Sequence, residues 1–180
     1  VIVVVGVLIG LALVARAIFG GPSYTVSLSA AEIQQALDDR FPIEKTRLLV
    51  VALTLSDPVV EMREDSDRLT VGATATVNVT IPGQARQLGG RATISTGLTY
   101  HAADYSFYLG DPRLDRLDVQ GIPVEHLEKV NELAATLLRD RLDRIRVYTL
   151  RPDQFAHAAA RLVLKRFEVK AGRLEITLGL

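Results

Sequence analysis

The stretch from Pro123 to about Arg146 constrains the fold more than any other, because its apolar residues recur with the period of an α-helix. Leu127, Val130, Ala134, Leu137, Leu138, Leu142 and Ile145 fall in one broad stripe, while Glu128, Lys129, Glu132, Thr136, Arg139, Asp143 and Arg146 fall opposite. Pro123 suits a first helical turn. Glu125 and Glu128 complement the positive N-terminal end of such a helix, and Arg139, Arg141, Arg144 and Arg146 complement its negative C-terminal end. Arg139 with Asp143 and Asp140 with Arg144 stand four residues apart, which predicts an arginine cluster that is mostly self-neutralised. At about 1.5 Å per residue the helix would be on the order of 36 Å long, and it needs an apolar partner of matching length.

Strands supply that partner. From Leu69 to Ile81 the odd positions are apolar and the even ones polar or glycine, so one face is dry and the other wet. The dry face is shallow at Ala73 and Ala75, which admits a close neighbour, either the long helix or the hydrocarbon chain of a ligand. Arg47 to Leu55 reads as a strand buried on both faces and Val59 to Arg63 as another, followed by an acidic turn at Glu64-Asp65-Ser66-Asp67. Gly83 to Gly90 reads as a turn into a strand that aligns Ala92, Ile94, Leu98 and Tyr100. Tyr105 to Leu109 and Leu114 to Val119 read as two strands separated by Gly110-Asp111-Pro112.

Ser29-Ala30-Ala31-Glu32 has the spacing of a capping box, opening a short helix with Ile33, Ala36, Leu37 and Phe41 on one side. After the long helix, Tyr148 to Leu150 is extended and a second helix starts at Pro152-Asp153. The segments Phe167 to Val169 and Leu174 to Leu178 then form a hairpin about Lys170-Ala171-Gly172-Arg173. The predicted fold is α+β: a strongly curved antiparallel sheet, joined by the late hairpin, wrapped around one long amphipathic helix and preceded by a membrane helix.

Residues 1 to 15 carry no charged group, and Arg16 then interrupts the run. Such a segment is a membrane anchor or an export signal. Its β-branched residues, which persist without a break, favour an uncleaved anchor, and Ala15-Arg16-Ala17 fits a cleavage site. The organisation expected is an anchor or signal over 1–19, a Gly-Gly-Pro-Ser linker over 20–23 and a single domain over 24–180. Both readings of the segment put the domain outside the cytoplasm: at a bacterial inner membrane facing the periplasm, or soluble in the periplasm after cleavage.

Charge and chemistry narrow the function classes. Acidic and basic side chains number 21 each, which gives no general pull towards nucleic acid. The absence of cysteine excludes disulfides, thiolate nucleophiles and cysteine zinc sites. His101, His126 and His157 have no ligand spacing between them, and no nucleophile elbow, phosphate-binding glycine loop or zinc-protease helix occurs. No catalytic residue, metal or cofactor is therefore expected. The run Asp111, Arg113, Asp115, Arg116, Asp118 reads as the protective charge of an edge strand. Arg141 falls inside the apolar stripe. Either its stem covers apolar surface while the guanidinium reaches water, or it meets the carboxylate or phosphate of an amphiphile.

Several stretches together resemble the YceB-like family of bacterial envelope lipoproteins: Tyr24-Thr25-Val26 with Ala31 to Leu37, Val147 to Arg151, and Phe167 to Ile176. The resemblance implies the tubular lipid-binding arrangement, in which aliphatic ligands enter the gap between a curved sheet and a long helix. It brings no catalytic signature. Members typically carry a lipid-modified cysteine at the start of the mature chain, and this sequence has none.

The expected function is a membrane-tethered periplasmic protein that binds a lipid or other hydrophobic ligand. Its apolar groove would be lined by Leu127, Val130, Ala134, Leu137, Leu138, Ala73 and Ala75, with Arg141 at the headgroup. The alternative is a non-catalytic accessory or scaffold subunit of an envelope membrane complex.

Overall fold

Hydrophobic alternation along a long hairpin builds the body of the molecule. The computed structural model describes residues 23–47, 51–81, 84–122, 124–150 and 162–179. Its strands are β1 (Ser23–Ser29), β2 (Ile43–Arg47), β3 (Val51–Glu61), β4 (Leu69–Ile81), β5 (Gln84–His101), β6 (Ser106–Val119), β7 (Arg146–Thr149), β8 (Val163–Lys170) and β9 (Arg173–Gly179). Its helices are α1 (Ala30–Asp38) and α2 (Val124–Arg141), and Leu142–Arg144 adds a 3-10 turn. The predicted membrane segment over 1–19, its linker up to Pro22 and the body of the helix expected from Pro152 lie outside the described residues. Among the described residues no helix is long and apolar enough to cross a membrane.

The strands form two antiparallel sheets, one of six strands in the order β2-β3-β4-β5-β6-β7 and one of three in the order β1-β9-β8. The six-stranded sheet curls strongly into a half-barrel, so that β4 approaches β6 across β5, and α2 packs against β2 and β3 on one side and β6 on the other. The inner face carries Leu53, Leu55, Leu69, Val71, Ala75, Val77 and Ile94, each at most 1% exposed. The alternation predicted for β4 is therefore the one observed.

Several element boundaries differ from expectation, for physical reasons that lie in bulges. The two strands expected over 47–63 are one strand, β3, because Asp57 takes a φ of 48° and a bulge between Ser56 and Val59 absorbs it and Pro58. The two expected over 105–119 are likewise one strand, β6, with Asp111 at a φ of 46° beside bulges in the β5–β6 pairing. The turn expected over 83–90 is mostly strand, since β4 and β5 pair in register from Leu69 opposite Thr96 to Ile81 opposite Gln84.

The late hairpin does not join the main sheet. β9 pairs with β1 along the whole of Ser23 to Ser29, so the start of the described chain completes a separate sheet with its end. That sheet is tied to the β3–β4 connection: the Asp65 amide donates to the Val169 carbonyl at 3.0 Å and the Val169 amide to the Ser66 carbonyl at 3.1 Å. Glu64 then accepts from the amides of Ala171 and Gly172, at 3.1 and 2.9 Å, in the β8–β9 turn.

The capping box of α1 forms as read. The Ser29 amide donates to Glu32 Oε2 at 2.8 Å and the Glu32 amide to Ser29 Oγ at 3.3 Å. The backbone bond from Ser29, and then its hydroxyl, hold the Glu32 carboxyl below its ordinary 4.5. This stabilisation is present above that ordinary value and is lost as pH falls through the lowered folded one. Because Glu32 is exposed, Glu32→Gln should cost no more than about 1 kcal/mol at neutral pH. Urea denaturation of both proteins should show the difference closing in strong acid; a gap independent of pH would contradict the charged cap.

Candidate ligand site between sheet and helix

Most of the residues predicted for the groove are buried. On α2 Val130 and Ala134 are 1% exposed and Leu137 and Leu138 fully buried, and on β4 Ala73 is 6% and Ala75 0% exposed. Leu127 departs from the expected stripe: it is 42% exposed, because the first turns of α2 present their side chains to solvent, as Val124 does too. Leu133, absent from the predicted stripe, is buried in its place. The helix is also shorter than expected. It ends at Arg141, at about 27 Å, and the 3-10 turn redirects the chain so that Leu142 and Ile145 still reach the core. The Leu109 amide donates to the Ile145 carbonyl at 3.0 Å, which docks this turn on β6.

Two openings flank the seam between edge strand β2 and α2. One, of about 340 Å³, is lined by Lys45, Thr46, Leu133 and Thr136. The other, of about 320 Å³, is lined by Arg40, Pro42, Ile43, Glu44, Arg141, Arg144 and Ile145. Lys45 donates to Asp140 in an ion pair that crosses the seam. Lys45 lines the first opening, and Asp140 precedes Arg141, which lines the second, so the pair lies beside both.

That ion pair changes the expected pairing of the arginines. The Lys45 bond above all, with the charges of Lys45, Arg144 and Arg139 behind it, holds the Asp140 carboxyl below the usual carboxylate range, so Asp140 bonds to β2 and meets Arg144 only through its charge. Asp143 does not pair with Arg139. Burial, and then the neighbouring Asp111 carboxylate, push its carboxyl up. Arg141 itself is exposed at the end of α2, with its side chain on the second opening. Sequence reasoning singled out Arg141 but missed Arg40, Glu44 and Arg144. The i, i+3 spacing of Arg141 and Arg144 was a local signal, whereas Arg40 lies about a hundred residues away and joins them only through the fold.

The charged run on β6 behaves as predicted for an edge. β7 pairs only with Ser106 to Tyr108, and beyond them Asp111, Arg113, Asp115, Arg116 and Asp118 are exposed. Arg68 reaches over to donate to the Asp111 carbonyl at 2.7 Å and to its carboxylate at 3.2 Å. Arg113, and then Arg68, keep the Asp111 carboxyl below the ordinary carboxylate range. His101 stacks on Tyr108 with ring centroids 4.6 Å apart, and no group of metal-ligating side chains occurs among the described residues.

The match to known families is to DUF1439, proteins of unknown function, over residues 28–173. The chain belongs to this family. No curated protein matches the DUF1439 chain. The crystal structure of a lipopolysaccharide binding protein is similar over 86% of this chain and 40% of its own, with 12% identity and a TM-score of 0.30. The DUF1439 chain thus spans less than half the length of that protein.

Proposed function

We propose that this DUF1439 protein is a membrane-tethered periplasmic binder of a lipid or other hydrophobic molecule, acting in lipid transport or envelope maintenance. What supports the reading is a curled sheet face, apolar apart from the buried Thr96, covered by one helix, with an opening of about 340 Å³ lined by Lys45, Thr46, Leu133 and Thr136 along the seam. Apolar side chains there replace water around an acyl chain, at about 0.8 kcal/mol per buried methylene. The YceB-like resemblance supports the same tubular arrangement, and the apolar run over residues 1–15 supports a tether that holds the binder near a membrane. In this reading the buried Val130, Ala134, Leu137, Leu138, Ala73 and Ala75 would line the ligand's path, with Arg141, which borders the second opening, at its polar end. Those apolar side chains already touch protein, so a ligand enters as α2 moves off β2, with the Lys45–Asp140 pair as the polar contact to open. No bond is made or broken.

The same close burial favours a second reading, the accessory or scaffold subunit of an envelope complex, whose interior is filled by its own side chains. Native mass spectrometry of the full chain, purified from its host in mild detergent, separates the two. A stoichiometric phospholipid or fatty acid is the expected result. A mass that stays unliganded after incubation with lipid vesicles would overturn the binding reading in favour of the scaffold.

A further inference from the structure

We propose that the cleft of Arg40, Arg141 and Arg144 seats a phosphoryl group, and that the ligand is a phosphomonoester amphiphile whose tail runs from this cleft along α2. The inference rests on the lipid-binding reading above and names the ligand class.

Arg40 follows α1, Arg141 ends α2 and Arg144 ends the 3-10 turn that continues it, so two segments far apart in sequence converge on one concavity of about 320 Å³. That size lies at the lower end of small-molecule pockets, which run from roughly 300 to 1,000 Å³. Among the described residues none of the three guanidiniums forms a direct ion pair: Asp140 bonds to Lys45 and meets Arg144 only through its charge, and Asp143 pairs with neither Arg141 nor Arg144. Glu44 is the only carboxylate in the lining, which leaves two positive charges in excess. Cations at helix C-terminal ends are favourable, which accounts for one arginine at each end. It does not account for three facing the same cleft, where they repel one another unless an anion lies between them.

The anion's chemistry follows from number and shape. A carboxylate fills one guanidinium fork, whereas a phosphomonoester offers three terminal oxygens and a charge approaching −2, matching three forks and the excess of two. The floor sets the rest of the ligand. Ile43 and Ile145, 6% and 2% exposed, line the cleft and also belong to the core, so polar rim and apolar interior meet there. An amphiphile has its own junction at the same place.

The test is calorimetric titration of the full chain in nonionic detergent with dioctanoyl phosphatidic acid, dioctanoylglycerol and inorganic phosphate. Phosphatidic acid should bind at least about tenfold more tightly than either of the others, since charged hydrogen bonds and apolar burial act together. Arg141→Met and Arg144→Met should each weaken it about tenfold with unchanged circular dichroism. Arg139→Met, which removes the same charge from an exposed position outside the cleft, should leave it unchanged.

Equal binding of phosphatidic acid and dioctanoylglycerol would keep the lipid-binding reading and overturn the phosphoryl seat. Inorganic phosphate binding as tightly as phosphatidic acid would leave an anion site and overturn the amphiphile. Equal losses in Arg139→Met and Arg141→Met would reduce the effect to unspecific charge and overturn the cleft. Binding of no lipid at all would overturn both readings.

Discussion

Phe107→Ala should lower stability by about 3–5 kcal/mol, the largest single effect expected in the described part of the chain. Phe107 is fully buried on β6, where it pairs directly with Tyr100 of β5 and Tyr148 of β7. Its ring centroid lies 5.1 Å from that of Tyr100, at 43°, and 6.5 Å from that of Tyr148, at 33°. The aromatic ladder thus ties the short strand β7, which follows the 3-10 turn of α2, to the long meander before it. Truncation removes the transfer energy of a phenyl ring, leaves a cavity and deletes two ring contacts worth roughly 0.5–1.5 kcal/mol each. Urea denaturation measures the change. A loss below about 1 kcal/mol would mean that the strands collapse around the gap, and that β7 is held by something other than this ladder.

Gly90→Ala should cost about 1–3 kcal/mol, while Gly89→Ala should stay within about 0.5 kcal/mol of the parent. The two neighbours differ only in what a methyl group would meet. At Gly90 it would lie 2.1 Å from the Asp118 carbonyl oxygen and 2.7 Å from the Val119 α-carbon, both backbone; at Gly89 nothing stands within 4 Å. Gly90 lies between Ala75 of β4 and Val119 of β6 in register, so accommodating a side chain there forces the β5–β6 pairing apart. This close approach belongs to the tight curl of the sheet. The same denaturation series settles the pair: equal effects at both positions would remove the steric account.

Much of the fold was legible because its signals are local. The dyad alternation of β4, the capping box of Ser29 and Glu32, the late hairpin turn and the helical stripe through Leu137 and Leu138 are each contained in a few consecutive residues. Turn residues misled where bulges absorbed them. Asp57-Pro58 and Gly110-Asp111-Pro112 have the composition of chain reversals, yet each lies inside a continuous strand whose neighbour supplies the missing register. Leu127 fits the apolar stripe by angle alone, but the buried part of the helix runs from Val130 to Leu138 and leaves Leu127 42% exposed.

The candidate site divides along the same line. Arg141 was visible as a cation inside an apolar stripe, and Ala73 and Ala75 as a shallow patch on a dry face. By itself the sequence determined the long helix, the alternating strand β4, the capped short helix and the late hairpin, which face of each is apolar, and the absence of cysteine chemistry, because periodicity and composition are properties of neighbouring residues. Only the tertiary structure decided that β1 completes a second sheet with β9 and β8, and that Arg40 meets Arg141 and Arg144. It also decided that Lys45 takes Asp140 from 95 positions away, leaving those arginines without a direct ion pair. A charge four residues along a helix is an available partner, but a surface pair of that kind is worth only about 0.3–0.5 kcal/mol. Packing of β2 against α2 sets which groups meet, and a contribution so small yields to it.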